Sequence, residues 1–224
     1  MAVMIPLLCV SRFQLILGMA VFTYISMTGS FSLIYVGVLL VALIPAYVAL
    51  TVLRSHSVEY LNGIFEMKNS HMPIFITQPY MYIANNYSNF NCLTQALQQG
   101  LVEHTFGLKQ LFPVFALTGL KFVFPALVAF EMPVTIKELN TLTLIYDAYY
   151  DFGLIGVFLF GLILGAVCAA LTQKIRKSSN PILYLFYAQL ALYLALSFFS
   201  SWFTVPTTWF WFALTGALYL YVKK

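Results

Sequence analysis

Residues 146–156 read YDAYYDFGLIG and lead directly into VFLFGLILGAVCAALTQKIRK. Two acids, Asp147 and Asp151, stand four positions apart, with Tyr146, Tyr149 and Tyr150 around them. On a helix that spacing places both carboxylates on one face, with Tyr146 and Tyr150 on an adjacent one. Like charges so placed repel mildly, so either both are solvated at an interface or one binds a hydroxyl or a cation. Asp151 is the more telling acid. It abuts an apolar run, and a charge costs about 3 kcal/mol at a bilayer centre on insertion scales. Each tyrosine alone suits an interfacial aromatic. Beside carboxylates, the three together also suit a sugar, offering rings to stack on and acceptors for hydroxyls.

Other chemistry is thinly spread. His104, in VEHTFG, has the right side chain for a general base but no partner that the sequence defines. Arg12 and Arg54 flank apolar runs. Their planar forks match a phosphate bidentately, each charge-assisted bond contributing about 1.5–3 kcal/mol, and the competing reading is a side chain snorkelling to a headgroup. Asn86-Tyr87-Ser88 fits a glycosylation sequon at chance frequency. The chain has no Asp-x-Asp pair, no Walker lysine and no Gly-x-Ser-x-Gly elbow, which disfavours nucleotide-driven and metal-driven chemistry. Cys9, Cys92 and Cys168 are odd in number and lack metal-ligand spacing, so neither a disulfide framework nor a zinc site is expected.

The elements that must hold these residues are set by composition. Hydrophobic residues make up 62% of the 224 positions and charged residues only 8%, too few to cover a soluble surface. The expected fold is all-α, a polytopic transmembrane protein forming a single integral membrane domain over 1–224. A membrane helix needs about 20 apolar residues. Runs of that order fall at 13–29, 31–53, 153–172, 182–202 and 206–222, the second carrying Pro45 as a kink. Residues 1–10 read as the remnant of a further helix, not as a cleaved signal. Lys174, Arg176 and Lys177, with Lys223 and Lys224 at the end of the chain, mark the cytoplasmic side. The turn with Trp202, Trp209 and Trp211 then lies outside, as an interfacial belt. Stretch 54–151 becomes one large extracytoplasmic loop.

That loop holds every acidic residue and every histidine of the chain. Polar residues collect in loops in any case, but nearly a hundred residues exceed what a connection requires. Within it, LFPVFALTGLKFVFPALVAF is broken by Pro113, Lys121 and Pro125, which favours an interfacial or re-entrant hairpin over a true span. Downstream, Gly161 and Gly165 form a GxxxG followed by Ala169, expected to pack closely against another helix.

In order, the chain shows SR before a span, YIANNYSNFN, HTFG, a proline-broken apolar stretch and NTLTLIYDAYYDFGLIGVFLFGLILG. This order resembles the C-terminal half of the oligosaccharide repeat-unit polymerases, the Wzy-type O-antigen and capsule polymerases. The most specific part is Asn140-Thr141-x-Thr143 followed by Tyr149, Asp151, Phe152, Gly153 and Gly156. The resemblance covers most of the chain.

It implies a metal-independent glycosyl transfer on the outer face of a bacterial cytoplasmic membrane. A growing glycan on undecaprenyl diphosphate passes to a hydroxyl of a newly flipped, lipid-linked repeat unit. A carboxylate, Asp151 or Glu131, or the imidazole of His104, takes the acceptor proton. Arg12 and Arg54 stabilise the leaving diphosphate, and Asn140, Thr141, Thr143, Tyr146, Asp147 and Tyr150 orient sugars. The partners implied are the lipid-linked glycan, the bilayer, a flippase and a chain-length regulator. No cofactor and no nucleic acid are expected. Three other readings stay open, one of them a non-catalytic membrane scaffold. An O-antigen ligase uses the same donor, and a transporter or flippase of lipid-linked sugars would place ionisable residues at mid-membrane depth.

Overall fold

A computed structural model describes residues 72–136, 139–178 and 180–222, with the single positions 63 and 68. These residues form helices and contain no strand. In chain order they are α1 (Ile74–Gln98), α2 (Leu108–Leu117), α3 (Leu120–Val123), α4 (Tyr146–Arg176), α5 (Pro181–Ala195) and α6 (Pro206–Val222). Single 3₁₀ turns occur at Pro125–Leu127 and Trp202–Thr204. The expected spans 13–29 and 31–53 lie outside the described residues, as do Lys223 and Lys224.

The helix α4 is long and apolar enough to cross a membrane, by length and composition. Its C-terminal end carries Lys174 and Arg176 in the last turn, where cations complement the helix dipole. The expected span 206–222 coincides with α6. The expected span 182–202 differs, because α5 stops at Ala195 after 15 residues. Asn180 caps its start through Oδ1, which accepts from Ile182 N–H at 2.9 Å, and Pro181 sits at the first position. Beyond Ala195 the backbone is claimed from outside the helix. Ser197 O accepts from Leu144 N–H at 2.9 Å, Phe198 O from Asn86 Nδ2 at 2.6 Å and Leu196 O from Trp202 Nε1 at 2.9 Å. Trp202 is thereby buried, whereas Trp209 and Trp211 remain exposed at the start of α6.

Stretch 54–151, expected as a loop, contains α1, α2 and α3 in its described part. The proline-broken run folds as α2, with Pro113 inside it, then α3 and a 3₁₀ turn that begins at Pro125. Gly119 (φ 79°) supplies the left-handed corner between α2 and α3. The core beside the site is Leu93, Leu142, Tyr146 and Tyr150, with Phe90, Leu97, Val102, Val134 and Tyr149 packed around it.

Between Phe130 and Leu144 the chain is irregular and partly buried, so its backbone groups need partners. Asn85 and Asn89 of α1 partner three of these groups, and Asn86 holds a side chain of the segment. Asn85 Nδ2 donates to Leu139 O at 2.7 Å, and Asn89 Nδ2 to Leu139 O and Thr141 O at 2.9 and 3.0 Å. Asn89 Oδ1 accepts from Thr135 N–H at 3.0 Å. Thr141 Oγ1 donates to Asn86 Oδ1 at 2.6 Å. The sequon asparagine is therefore fully buried, with its amide in use.

Candidate functional site

The site is organised by a break in α4. Phe152 (φ −138°, ψ 17°) and Gly153 (φ 61°, ψ −144°) leave the helical region, separating the turn 146–151 from the membrane-length part that follows. A backbone like that of Gly153 is accessible at low cost to glycine alone. Gly156 answers a different need. A β-carbon there would run into the carbonyl oxygen of Ala148 and lie 2.9 Å from Phe152 Cβ, because the first turn folds back on the helix.

A break in a helix strands carbonyls, and the HTFG loop meets them. Thr105 N–H donates to Tyr150 O at 3.4 Å and Phe106 N–H to Asp151 O at 3.3 Å. His104 Nδ1 lies 2.9 Å from Tyr150 O. A carbonyl only accepts, so Nδ1 carries a proton, and in that tautomer Nε2 is the acceptor. His104 is exposed, and a β-carbon at position 153 would lie 3.6 Å from its Cε1. Phe106 and Phe152 complete an exposed ring cluster, with centroids 6.5 Å from His104 to Phe106 and 6.3 Å from Phe106 to Phe152. Phe106 holds φ 49°, a left-handed conformation that costs a non-glycine residue about 1–3 kcal/mol.

Asp151 is fully buried. Its Oδ1 accepts from Thr105 Oγ1 and from Lys109 N–H at 3.1 Å, and its Oδ2 from Gln110 N–H at 2.9 Å. These amides are free donors in the first turn of α2, so Asp151 caps that helix from across the fold. The same carboxylate thus fixes the loop that carries His104.

Asp147 is also buried, and its Oδ2 accepts from Thr204 Oγ1 at 2.6 Å. Burial pushes its carboxyl above the usual carboxylate range. The hydroxyls of Thr204 and Ser201 and the charge of Lys109 oppose the rise, and Asp151 adds to it. Lys109 is buried with Nζ 5.1 Å from the ring centre of Phe130 and 5.0 Å from that of Tyr150. Burial lowers its ammonium from the usual lysine value, and Asp147 and Asp151 partly restore it.

The tyrosines are inside as well. Tyr146 OH donates to Pro133 O at 3.1 Å and Tyr150 OH to Glu131 O at 3.0 Å, tying the irregular segment to α4. Burial first, and neighbouring Asp147, push the Tyr146 hydroxyl well above the usual phenol value. Tyr149 is half-buried edge-on against Phe90, with centroids 5.2 Å apart.

Of the residues singled out in the sequence, the structure brings together His104, Tyr146, Asp147, Tyr150 and Asp151. The side chains of Glu131 and Asn140 are exposed on the neighbouring segment. Thr141 is bonded to Asn86, and Thr143 is buried with Oγ1 lacking a hydrogen-bond partner among the described residues. Arg12 and Arg54 lie outside the described residues. Gly161 and Gly165 meet no atom of the described residues within 4 Å of a built β-carbon.

Sequence reasoning missed Lys109, Thr105, Thr204 and the three asparagines as parts of the site. The spacing of Asn85 and Asn89, one helical turn apart, was the available signal. The others are joined to it only by tertiary contacts. Comparisons of the chain with protein-family models, with curated proteins and with solved structures each return no match.

Proposed function

We propose that this chain polymerises lipid-linked oligosaccharide repeat units at the outer face of a bacterial cytoplasmic membrane, with His104 as the general base. The acceptor sugar hydroxyl attacks the anomeric carbon of the donor glycan. Its proton passes to Nε2 of His104, and the bond from that carbon to the undecaprenyl diphosphate breaks with the electron pair on the leaving phosphate oxygen. Phe106 and Phe152 give ring faces against which a sugar stacks. In this reading the chain is polytopic, with spans near 13–29 and 31–53 joining those that contain α4, α5 and α6. Arg12 and Arg54 are the cations available for the diphosphate.

The observation that carries the reading is the pose of His104. Its Nδ1 faces the Tyr150 carbonyl and its exposed ring stands beside Phe106 and Gly153, where the membrane-length part of α4 begins. The buried carboxylates support His104 as the base, since Asp147 and Asp151 have no surface on which to meet a sugar. The order of motifs that resembles repeat-unit polymerases supports the reaction class.

The chain, expressed in cells lacking their own polymerase, is expected to restore a ladder of polymer lengths. His104→Ala is expected to cut polymerisation by roughly 10²- to 10⁴-fold, the range for loss of a general base. No ladder from the parent chain sinks the polymerase reading. An undiminished ladder from His104→Ala at equal protein level removes the base from His104.

A further inference from the structure

The 25 residues of α1 contain no Asp, Glu, Lys, Arg or His. Its inward face carries the buried polar side chains Thr77, Asn85, Asn86 and Asn89, with Met81, Leu93 and Ala96 among them. Its outward stripe begins apolar. Ile76, Tyr80, Ile83 and Tyr87, spaced four, three and four apart, are 48%, 58%, 43% and 60% exposed. A helix facing water is patterned the other way, whereas a membrane helix turns its polar residues to the protein interior.

The stripe then changes character. From Tyr87 it continues through Asn91, Gln95 and Gln98, all exposed, with Ser88 beside it. The same line of the same helix is apolar before position 88 and amide-rich after it. The change has a counterpart on α4. The amide-rich half of α1 meets the turn 146–151, through Phe90 against Tyr149 and Leu93 against Tyr146 and Tyr150. Beyond Gly153, α4 exposes Leu154, Ile155 and Phe158. The two helices therefore join through their polar ends, and each is apolar on its far side of the junction.

We propose that α1 stands across the edge of the bilayer, with Ile74–Tyr87 among lipid acyl chains and Ser88–Gln98 in water beside Tyr146–Asp151. Fourteen residues reach about 21 Å at 1.5 Å each, well into a hydrocarbon core of about 30 Å. Tyr87 sits at the changeover, where a ring with one polar end is favoured. Stretch 54–151 is then no longer a single extracytoplasmic loop, because the chain reaches the site from within the membrane.

Nitroxide labels placed singly at 76, 80, 83, 87, 91, 95 and 98 test this, in protein whose Cys9, Cys92 and Cys168 are replaced by serine. The labelled protein is reconstituted in phosphatidylethanolamine–phosphatidylglycerol vesicles. Collision with oxygen, which partitions into lipid, is compared with collision with a water-soluble nickel complex. The ratio of oxygen to nickel collisions is expected to exceed one at 76, 80 and 83, and to fall below one at 91, 95 and 98. A ratio below one at 80 and 83 places this half of α1 in water and overturns the proposal. Loss of both collisions at those positions overturns it equally, since another segment or a second copy then covers the stripe in place of lipid.

Discussion

Asp147 is buried, with the hydroxyls of Thr204 and Ser201 as the hydrogen-bonding groups on its carboxylate. Its folded-state pKa is raised above the unfolded value, so the fold favours the protonated acid. That contribution to stability is full below the ordinary carboxylate pKa and is lost as pH rises through the raised folded value. Asp147→Asn removes the charge and keeps an oxygen for Thr204. Its thermal midpoint is expected to exceed that of the parent near neutral pH and to converge with it below about pH 4. Each kcal/mol of difference appears as roughly 2–4 °C in a chain of this size. A lower midpoint for the variant near neutral pH would show that the attraction of Lys109 outweighs desolvation. Little of this environment was legible in the letters. Asp147 and Asp151 stand out as candidates by their place before an apolar run, but burial is decided by Thr105, Thr204 and Lys109, which lie 42–57 positions away in sequence. The same holds for His104, whose proton is placed by a carbonyl 46 residues on.

At the scale of the element, the Tyr-x-Asp-Phe-Gly-x-x-Gly stretch is a device for ending one helical turn and starting a membrane-length helix beside it. Gly153 supplies the backbone angles, Gly156 the close approach, and Asp151 the cap that draws in the loop of His104. Gly156→Ala is expected to lower the thermal midpoint strongly, because the obstacle is backbone at Ala148. Gly153→Ala is expected to cost about 1–3 kcal/mol through its positive φ. Gly161→Ala and Gly165→Ala meet open space within the described residues and are expected to be near neutral. Thermal unfolding of the four variants in one detergent checks the ranking, and equal losses at 156 and 161 would refute this account of the motif. The run of apolar residues after Gly153 made the helix readable, since hydrophobic length is a sufficient signal for it. The break was not readable from length, and α1 was hidden by asparagines that favour caps and turns on propensity alone. Tertiary hydrogen bonds from Asn85 and Asn89 outweigh that preference.

Across the whole molecule, the basic end of α4 and the polar end of α1 must emerge on opposite sides of the bilayer if α4 crosses it. Cysteine placed at Ser88 is expected to react with a membrane-impermeant maleimide added to intact cells. Cysteine placed at Ser178 is expected to react only after the membrane is opened. Reaction of both from the same side would sink the orientation on which the outer-face chemistry depends. Composition and hydrophobic length alone determined the helical character and the position of the one membrane-length helix among the described residues. Each depends on apolar pattern and length, which are properties of a short stretch of chain. Only the tertiary structure decided which polar groups are spent within the protein and which remain open. It turned two acids and two tyrosines inward and left the His104 side chain exposed. Hydrogen bonds between residues 13 to 57 positions apart make that division, and no local pattern encodes them.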